Sequence, residues 1–122
     1  MTEKRIELPP VPEDGRKTVH KAIEERRSHR SFGRGPLALS HLSRLLWAAQ
    51  GITGPEDRLR ASPSAGATFP LEVYTAVGDG GVKDLGQGVY RYAPADHELE
   101  RTGTDDIRRG IASAALWQDF VA

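Results

Sequence analysis

Residues 88–101 have the sequence GVYRYAPADHELER, and they carry the clearest β signal of the chain. Side chains alternate between apolar and polar in residues 88–92 and in residues 97–101, a spacing typical of strands with one buried face. The residues between the two runs include Pro94 and Asp96, which favour a turn. We therefore predict a β-hairpin with charges on its outer faces.

A further strand precedes this hairpin. Residues 71–77 are rich in β-branched and aromatic side chains, and the glycines of residues 78–81 end the run. Before the strand, the chain has helical spacing. Thr18 can cap a helix that ends near Ser28, since Val19, Ala22 and Ile23 recur at helical intervals.

The second predicted helix has the strongest start and stop signals. Ser40 can cap it, and Gly51 and Gly54 follow as stop signals. Its apolar stripe consists of Leu42, Leu45, Leu46 and Ala49. A third helix follows Thr104, with acidic residues in its first turn and an apolar face that continues toward Trp117.

The order helix, helix, strand, hairpin, helix predicts an α+β fold, with helices packed on an antiparallel or mixed sheet. Residues 1–17 contain prolines and charges without apolar periodicity, so we expect an arm that lies over the surface or is disordered. Residues 18–122 form the predicted domain.

The composition excludes several function classes. The 122 residues include 17 basic and 17 acidic side chains, so no net field draws the chain to nucleic acid or to an anionic membrane. With no cysteine, disulfides and thiolate chemistry are excluded. No stretch approaches the roughly 20 apolar residues that span a bilayer, and we expect a cytoplasmic protein.

A basic cluster, RRSHR at residues 26–30, follows the first predicted helix. Arginine offers a planar fork of donors that matches phosphate oxygens, and a serine hydroxyl adds another bond. The dipole at a helix C-terminus disfavours anions, so side chains would have to bind the phosphate. The alternative is a solvated basic turn whose arginines pair with Glu24, with Glu25 or with nothing.

A second segment, SPSAGATFP at residues 62–70, is made mostly of small residues. Such a loop lets the backbone approach a flat ligand closely and exposes amide donors. The alternative is an ordinary flexible loop.

Taken together, these segments resemble the SagB-type dehydrogenase branch of the nitroreductase superfamily. The resemblance rests on RRSHR at residues 26–30, LLWAAQG at 45–51, PSAGA at 63–67 and PLE at 70–72, with support from YRY at 90–92 and ALWQD at 115–119. It extends from about Val19 to the C-terminus. Members of the family are usually longer, so the resemblance covers the N-terminal half and implies a truncated fold.

The resemblance implies an FMN site. Arg26, Arg27 and Ser28 match positions that hold the phosphate, and Arg30 matches a basic position beside the flavin ring, where a cation favours the negative charge that reduction adds. The loop that passes the ring corresponds to Pro63, Ser64, Ala65 and Gly66. At Ala67 many nitroreductases outside this branch have an asparagine that contacts the ring, and that contact is absent here.

The implied activity is that of an FMN-dependent oxidoreductase, with hydride passing from NAD(P)H through the flavin to a small-molecule or peptide substrate, in a homodimer if the chain is complete. No catalytic side chain is expected, because the cofactor carries the chemistry. Two alternatives stay open. One is an azoline dehydrogenase of peptide modification, and the other is a non-catalytic fragment or flavin-free domain that serves dimerisation or partner binding.

Other signals favour structural roles. The glycines of residues 78–88 lack the GxGxxG spacing of a dinucleotide site. The histidines, His20, His29, His41 and His97, lack metal-ligand spacing, so we predict surface histidines and no metal site. Helical spacing places Trp47 and Trp117 in the core, and Tyr90 and Tyr92 on a strand are interpreted in the same way.

Overall fold

The computed structural model of the chain describes residues 4–122. Its centre is a four-stranded antiparallel sheet with the strand order β1-β4-β3-β2. The strands are β1 (Arg5–Glu7), β2 (Tyr74–Val77), β3 (Gly88–Ala93) and β4 (Glu98–Gly103). The predicted hairpin is confirmed as β3 and β4, in which Tyr92 lies opposite Leu99. The strand predicted at residues 71–77 begins only at Tyr74.

Residues 4–122 contain three α-helices: α1 (Val19–Glu25), α2 (Leu39–Gln50) and α3 (Arg108–Ala114). Two short 3-10 turns are Ala65–Ala67 and Asp119–Val121. The α+β prediction is therefore confirmed. Among residues 4–122, no helix is long and apolar enough to cross a membrane.

Strand β1 lies in the segment that the sequence analysis described as an arm. Its Ile6 pairs with Leu99, and the following Leu8 is buried in the core. Three residues are too few to show the period of a strand, so this edge of the sheet had no sequence signal. Residues 1–3 of the predicted arm lie outside the described residues.

The core lies between helix α2 and one face of the sheet. Alternation in β3 directs Tyr90 and Tyr92 to this face, where they join Leu99 and the α2 side chains Leu42 and Leu46. The prediction that both tyrosines are core residues is confirmed. The opposite face carries charges, as predicted for the hairpin: buried Glu100 binds Arg91 and also lies 3.2 Å from Arg5.

The helix ends differ from the sequence predictions in identifiable ways. Thr18 caps α1 as predicted, because its Oγ1 accepts from the Lys21 N–H at 3.2 Å. Ser40 does not cap α2: that position belongs to Ala38, which has extended backbone and makes no side-chain cap bond. Gly51 ends α2 as predicted. Leu45, expected in the stripe, is 60% exposed.

Trp117 was wrongly predicted as a core residue. Helix α3 stops at Ala114, and both Leu116 and Trp117 adopt left-handed backbone angles beyond it. This reversal breaks the helical period on which the prediction depended, and Trp117 is 76% exposed.

Candidate functional site

The loop of residues 62–70 has a strained and tightly bonded backbone. Its φ angle is positive at Gly66 (67°), Ala67 (51°) and Phe69 (42°). Positive φ is uncommon outside glycine and is an outlier for a bulky aromatic residue. Strained backbone persists only where its surroundings impose it, and it concentrates at functional sites.

Hydrogen bonds inside the loop impose part of this shape. Ser64 Oγ accepts from the backbone N–H of Phe69 at 2.9 Å, and the Thr68 hydroxyl donates to the carbonyl of Ala65 at 3.2 Å. The Ala67 N–H donates to the Ser64 carbonyl at 3.1 Å. Ser64 therefore closes the loop across the strained residues.

The loop is attached to the C-terminal end of helix α2. The Ser62 hydroxyl donates to the Ala49 carbonyl at 2.7 Å, and the Ala61 N–H donates to the Gly51 carbonyl at 2.9 Å. The last carbonyls of a helix lack partners within the helix, so these bonds satisfy groups that the helix itself leaves free. The loop position is thereby fixed relative to α2.

Two adjoining cavities flank the loop. One has a volume of about 200 Å³ and is lined by Gln50, Pro63, Ser64, Ala65, Phe69, Pro70 and Leu71. The other, of about 110 Å³, shares Gln50, Phe69 and Leu71 with it and also has Arg60, Arg91 and Tyr92 in its wall. Three of the four sequence-predicted loop residues thus line one concavity, and Gly66 shapes its backbone.

The basic segment of residues 26–30 follows helix α1 and is exposed throughout. Arg26 is the C-cap residue of α1, and its Nη1 lies 3.4 Å from Ser28 Oγ. Nη1 of Arg27 donates to the carbonyls of Glu24 at 2.9 Å and Arg26 at 2.7 Å, as basic residues at helix ends commonly do. Arg26 and Ser28 therefore present a guanidinium and a hydroxyl side by side.

The acids near this segment are paired with lysines instead. Glu24 lies 3.3 Å from Lys21, and Glu25 lies 2.5 Å from Lys17 and 3.6 Å from Lys21. Within residues 4–122, no carboxylate lies within ion-pair distance of Arg26, Arg27 or Arg30. Glu24 and Glu25 therefore do not neutralise these arginines, and a solvated basic turn whose arginines pair with no acid stays the alternative to a phosphate site.

The structure does not bring the basic segment and the loop into contact. Across the described part of the chain, no hydrogen bond, ion pair or cation–π contact joins residues 26–30 to residues 62–70. Arg30 lies instead over the ring of Phe120, with its guanidinium carbon 5.7 Å from the ring centroid. Helix α1 itself contributes no buried residue.

A polar cluster that the sequence analysis missed lies between α2, β3 and the arm. Ser43 Oγ lies 2.5 Å from the Pro9 carbonyl and 2.7 Å from Nε2 of His97, and the Tyr92 hydroxyl lies 2.9 Å from His97 Nδ1. Burial raises the pKa of the Tyr92 hydroxyl. His97 is half-buried rather than a surface histidine, whereas His20, His29 and His41 are exposed as predicted.

One sequence signal could have found Ser43. Helical spacing of three and four residues places it with Leu42, Leu46 and Gln50 on one face, so a hydroxyl stands inside the buried stripe. Trp47, which was predicted in the core, is 38% exposed. It lines a cavity of about 490 Å³ together with Tyr92 and His97.

Comparisons with known proteins agree on one family. The family model described as "Nitroreductase family" matches residues 23–118. A relative from Methanocaldococcus jannaschii, named "Putative nitroreductase MJ1384", is 40% identical over 117 residues. Those residues are 96% of this chain and 56% of the relative, so the chain spans little more than half of that protein.

Two solved structures have a similar fold. A crystal structure from Ralstonia eutropha, described as a putative nitroreductase, has a TM-score of 0.74 at 33% identity and matches 85% of this chain and 46% of its own. A second, from Anabaena variabilis with the same description, has a TM-score of 0.72 at 26% identity and matches 96% of this chain and 24% of its own.

Proposed function

Because this chain belongs to the nitroreductase family, we propose that it forms part of a flavin-dependent oxidoreductase of the SagB-type branch, with FMN as the cofactor. One observation carries the proposal: three arginines at the end of α1 have no acidic partner among residues 4–122, while the neighbouring acids pair with lysines. Guanidinium groups without an acidic partner, beside a hydroxyl, offer donors that the oxygens of a phosphate monoester can accept.

In this proposal Arg26 and Ser28 hold the phosphate. Their side chains lie 3.4 Å apart, so one phosphate can accept from both without a change of backbone. Arg27 adds positive charge, although its guanidinium also bonds the carbonyls at the end of α1. Arg26, Arg27 and Ser28 are the proposed phosphate-binding residues, and mutation tests each role.

The loop of Pro63, Ser64, Ala65 and Gly66 would lie along the flavin ring. Its small side chains leave the backbone accessible, and three of these residues line the 200 Å³ cavity, which would receive one edge of the ring. When bound, FMN would supply hydride transfer between NAD(P)H and a second substrate. Arg30 would lie near the flavin ring. In the structure its guanidinium lies over the ring of Phe120.

The second substrate and the subunit partner belong to the same proposal. Nitroaromatics and quinones are typical acceptors of the superfamily, and oxidation of azolines in modified peptides is the alternative direction. Two apolar side chains on α1, Val19 (78% exposed) and Ile23 (72%), are largely open to solvent and would suit a homodimer contact. The cytoplasmic location and the division into an arm of residues 1–17 and a domain of residues 18–122 also stay predictions, although β1 and Leu8 join that arm to the sheet and the core.

The test is a titration of FMN into the purified chain, followed by the quenching of flavin fluorescence and by the visible spectrum of the protein. We expect saturable quenching that disappears when the chain is unfolded in urea, which is the matched control for non-specific quenching. A folded, colourless chain that leaves flavin fluorescence unchanged would reject the flavoprotein assignment and favour a non-catalytic domain that binds a partner.

A further inference from the structure

We infer that Arg60 is a positioning residue that holds the loop of residues 63–70 in the shape that receives the flavin ring. The inference rests on the proposed function and adds to it a residue outside the segments that resemble the family's cofactor motifs. Arg60 lies just before the loop and contacts both the loop and the helix to which the loop is attached.

The first contact is with the strained end of the loop. The guanidinium carbon of Arg60 lies 5.0 Å from the centroid of the Phe69 ring, within the range of a cation–π interaction. Phe69 has a φ of 42°, a backbone conformation that an aromatic residue adopts only when its surroundings impose it. The stacked guanidinium holds the ring where this backbone angle places it.

The second contact is with helix α2. Nη1 of Arg60 donates to Oε1 of Gln50 at 3.3 Å, and Gln50 is the last residue of α2 and is buried. Helix α2 is fixed to the sheet through Leu42 and Leu46. Arg60 therefore links the Phe69 ring to a helix that is packed against the core.

The Phe69 end of the loop is joined to the proposed ring-binding residues. The Phe69 N–H donates to Ser64 Oγ at 2.9 Å, and Ser64 lines the same 200 Å³ cavity as Pro63 and Ala65. If the ring of Phe69 is released, its backbone can leave the positive φ region and the bond to Ser64 is lost. The cavity wall then loses its defined shape.

Arginine is suited to making both contacts at the same time. A planar guanidinium can stack on a ring and donate in its own plane at the same time, whereas a lysine ammonium is a compact point charge without a flat face. A role of charge alone would be preserved by lysine. Arg60→Lys therefore separates positioning from simple electrostatic attraction.

The experiment compares Arg60→Gln and Arg60→Lys with Arg58→Gln, using two measurements. Arg58 is the matched control because it lies two residues away, is exposed, and makes no side-chain hydrogen bond or ion pair with residues 4–122. The first measurement is amide hydrogen exchange of Ala67 and Phe69 without flavin. The second is the affinity for FMN and for riboflavin, with far-UV circular dichroism to verify that each variant is folded.

We expect exchange at Ala67 and Phe69 to accelerate in both Arg60 variants and to stay unchanged in Arg58→Gln. Both Arg60 variants should also bind FMN and riboflavin about tenfold more weakly, since a cation–π contact and a hydrogen bond are lost. The losses should be equal for the two ligands because the loop contacts the ring and not the phosphate.

The outcomes separate the inference from the proposed function. Unchanged exchange in the Arg60 variants, or wild-type behaviour of Arg60→Lys, would overturn the inference while flavin binding by the wild-type chain stands. A loss of FMN affinity without a loss of riboflavin affinity would place Arg60 at the phosphate and overturn it as well. A wild-type chain that binds neither flavin would overturn the proposed function, whatever the exchange data show, and with it the ring-receiving role.

Discussion

The Ser43 hydroxyl lies 2.7 Å from Nε2 of His97, across 54 positions of sequence. The same hydroxyl donates to the Pro9 carbonyl at 2.5 Å, so its oxygen is free to accept from the His97 Nε2–H. The other ring nitrogen, Nδ1, lies 2.9 Å from the Tyr92 hydroxyl. These contacts join helix α2, the hairpin and the N-terminal arm in one polar cluster.

Replacing Ser43 by alanine should therefore destabilise the fold. Ser43 is 1% exposed. Its replacement removes the hydroxyl that donates to the Pro9 carbonyl and that lies beside Nε2 of His97. The free energy of unfolding should fall by about 1 to 3 kcal/mol, the cost of leaving buried polar groups unpaired. Urea denaturation measures this loss. Ser40→Ala, at an exposed position of the same helix, is the control and should change stability by much less. If Ser43→Ala lowered the free energy of unfolding no more than Ser40→Ala, the cluster would not contribute to the stability of the fold.

Part of this fold could be predicted because its signals are local. The period-two alternation of the hairpin and the stop signal of Gly51 depend only on neighbouring residues, and both are confirmed. Tyr90 and Tyr92 are in the core because the alternation gives their face directly. Local patterns of this kind do not depend on what packs against them.

The rest depends on contacts between distant segments. Strand β1 forms because Arg5 and Ile6 pair with β4, more than ninety positions away in the sequence. Three residues are too few to predict that pairing from sequence. His97 is half-buried because Pro9 and Ser43 reach it from two other segments. For the candidate site, the sequence identified the motifs but could not supply the strained angles of the loop or the contact of Arg60 with Phe69.

Gly66→Ala should distort the loop that we propose lies along the flavin ring. The φ angle of Gly66 is 67°, and a side chain in this left-handed region costs roughly 1 to 2 kcal/mol. We expect that loss in urea denaturation, together with weaker binding of both FMN and riboflavin. Gly33→Ala is the control, because a Cβ there meets no atom within 4 Å and its backbone is not in the positive φ region. If Gly66→Ala kept full stability and flavin affinity, the strained conformation would have no role.

The carboxyl of Asp106 should titrate at unusually low pH. Hydrogen bonds from the Arg108 side chain, at 2.8 and 2.9 Å, and from its backbone N–H lower the pKa of Asp106 from its ordinary value of 3.8 to about 2. Because the folded-state pKa lies below the unfolded-state value, this contact favours the fold at neutral pH, and its contribution is lost as the pH falls from 3.8 toward 2.

A carboxyl-detected NMR titration measures this pKa directly. In Arg108→Gln the Asp106 midpoint should move back toward the ordinary value, because the guanidinium that holds the charged form is gone. Salt should raise the wild-type midpoint as well, since the pair is solvent-accessible and screened. A wild-type midpoint near 3.8 would contradict the hydrogen-bonded geometry.

Arg26→Ala should weaken FMN and leave riboflavin almost unchanged. The two ligands share the flavin ring and differ only in the phosphate, so a side chain that binds the phosphate affects one of them alone. Losing one charge-assisted contact should cost about 1.5 to 3 kcal/mol, or roughly one to two decades in Kd. Fluorescence titration of both ligands measures the difference. Arg16→Ala, which removes an exposed arginine from the arm, is the charge-matched control and should leave both affinities near the wild-type values.

If Arg26→Ala weakened both ligands equally, the guanidinium would act on the ring or on the fold, and the phosphate would have to be assigned to other side chains. If Arg16→Ala weakened FMN as much as Arg26→Ala, the effect would come from net charge rather than from a defined site beside Ser28.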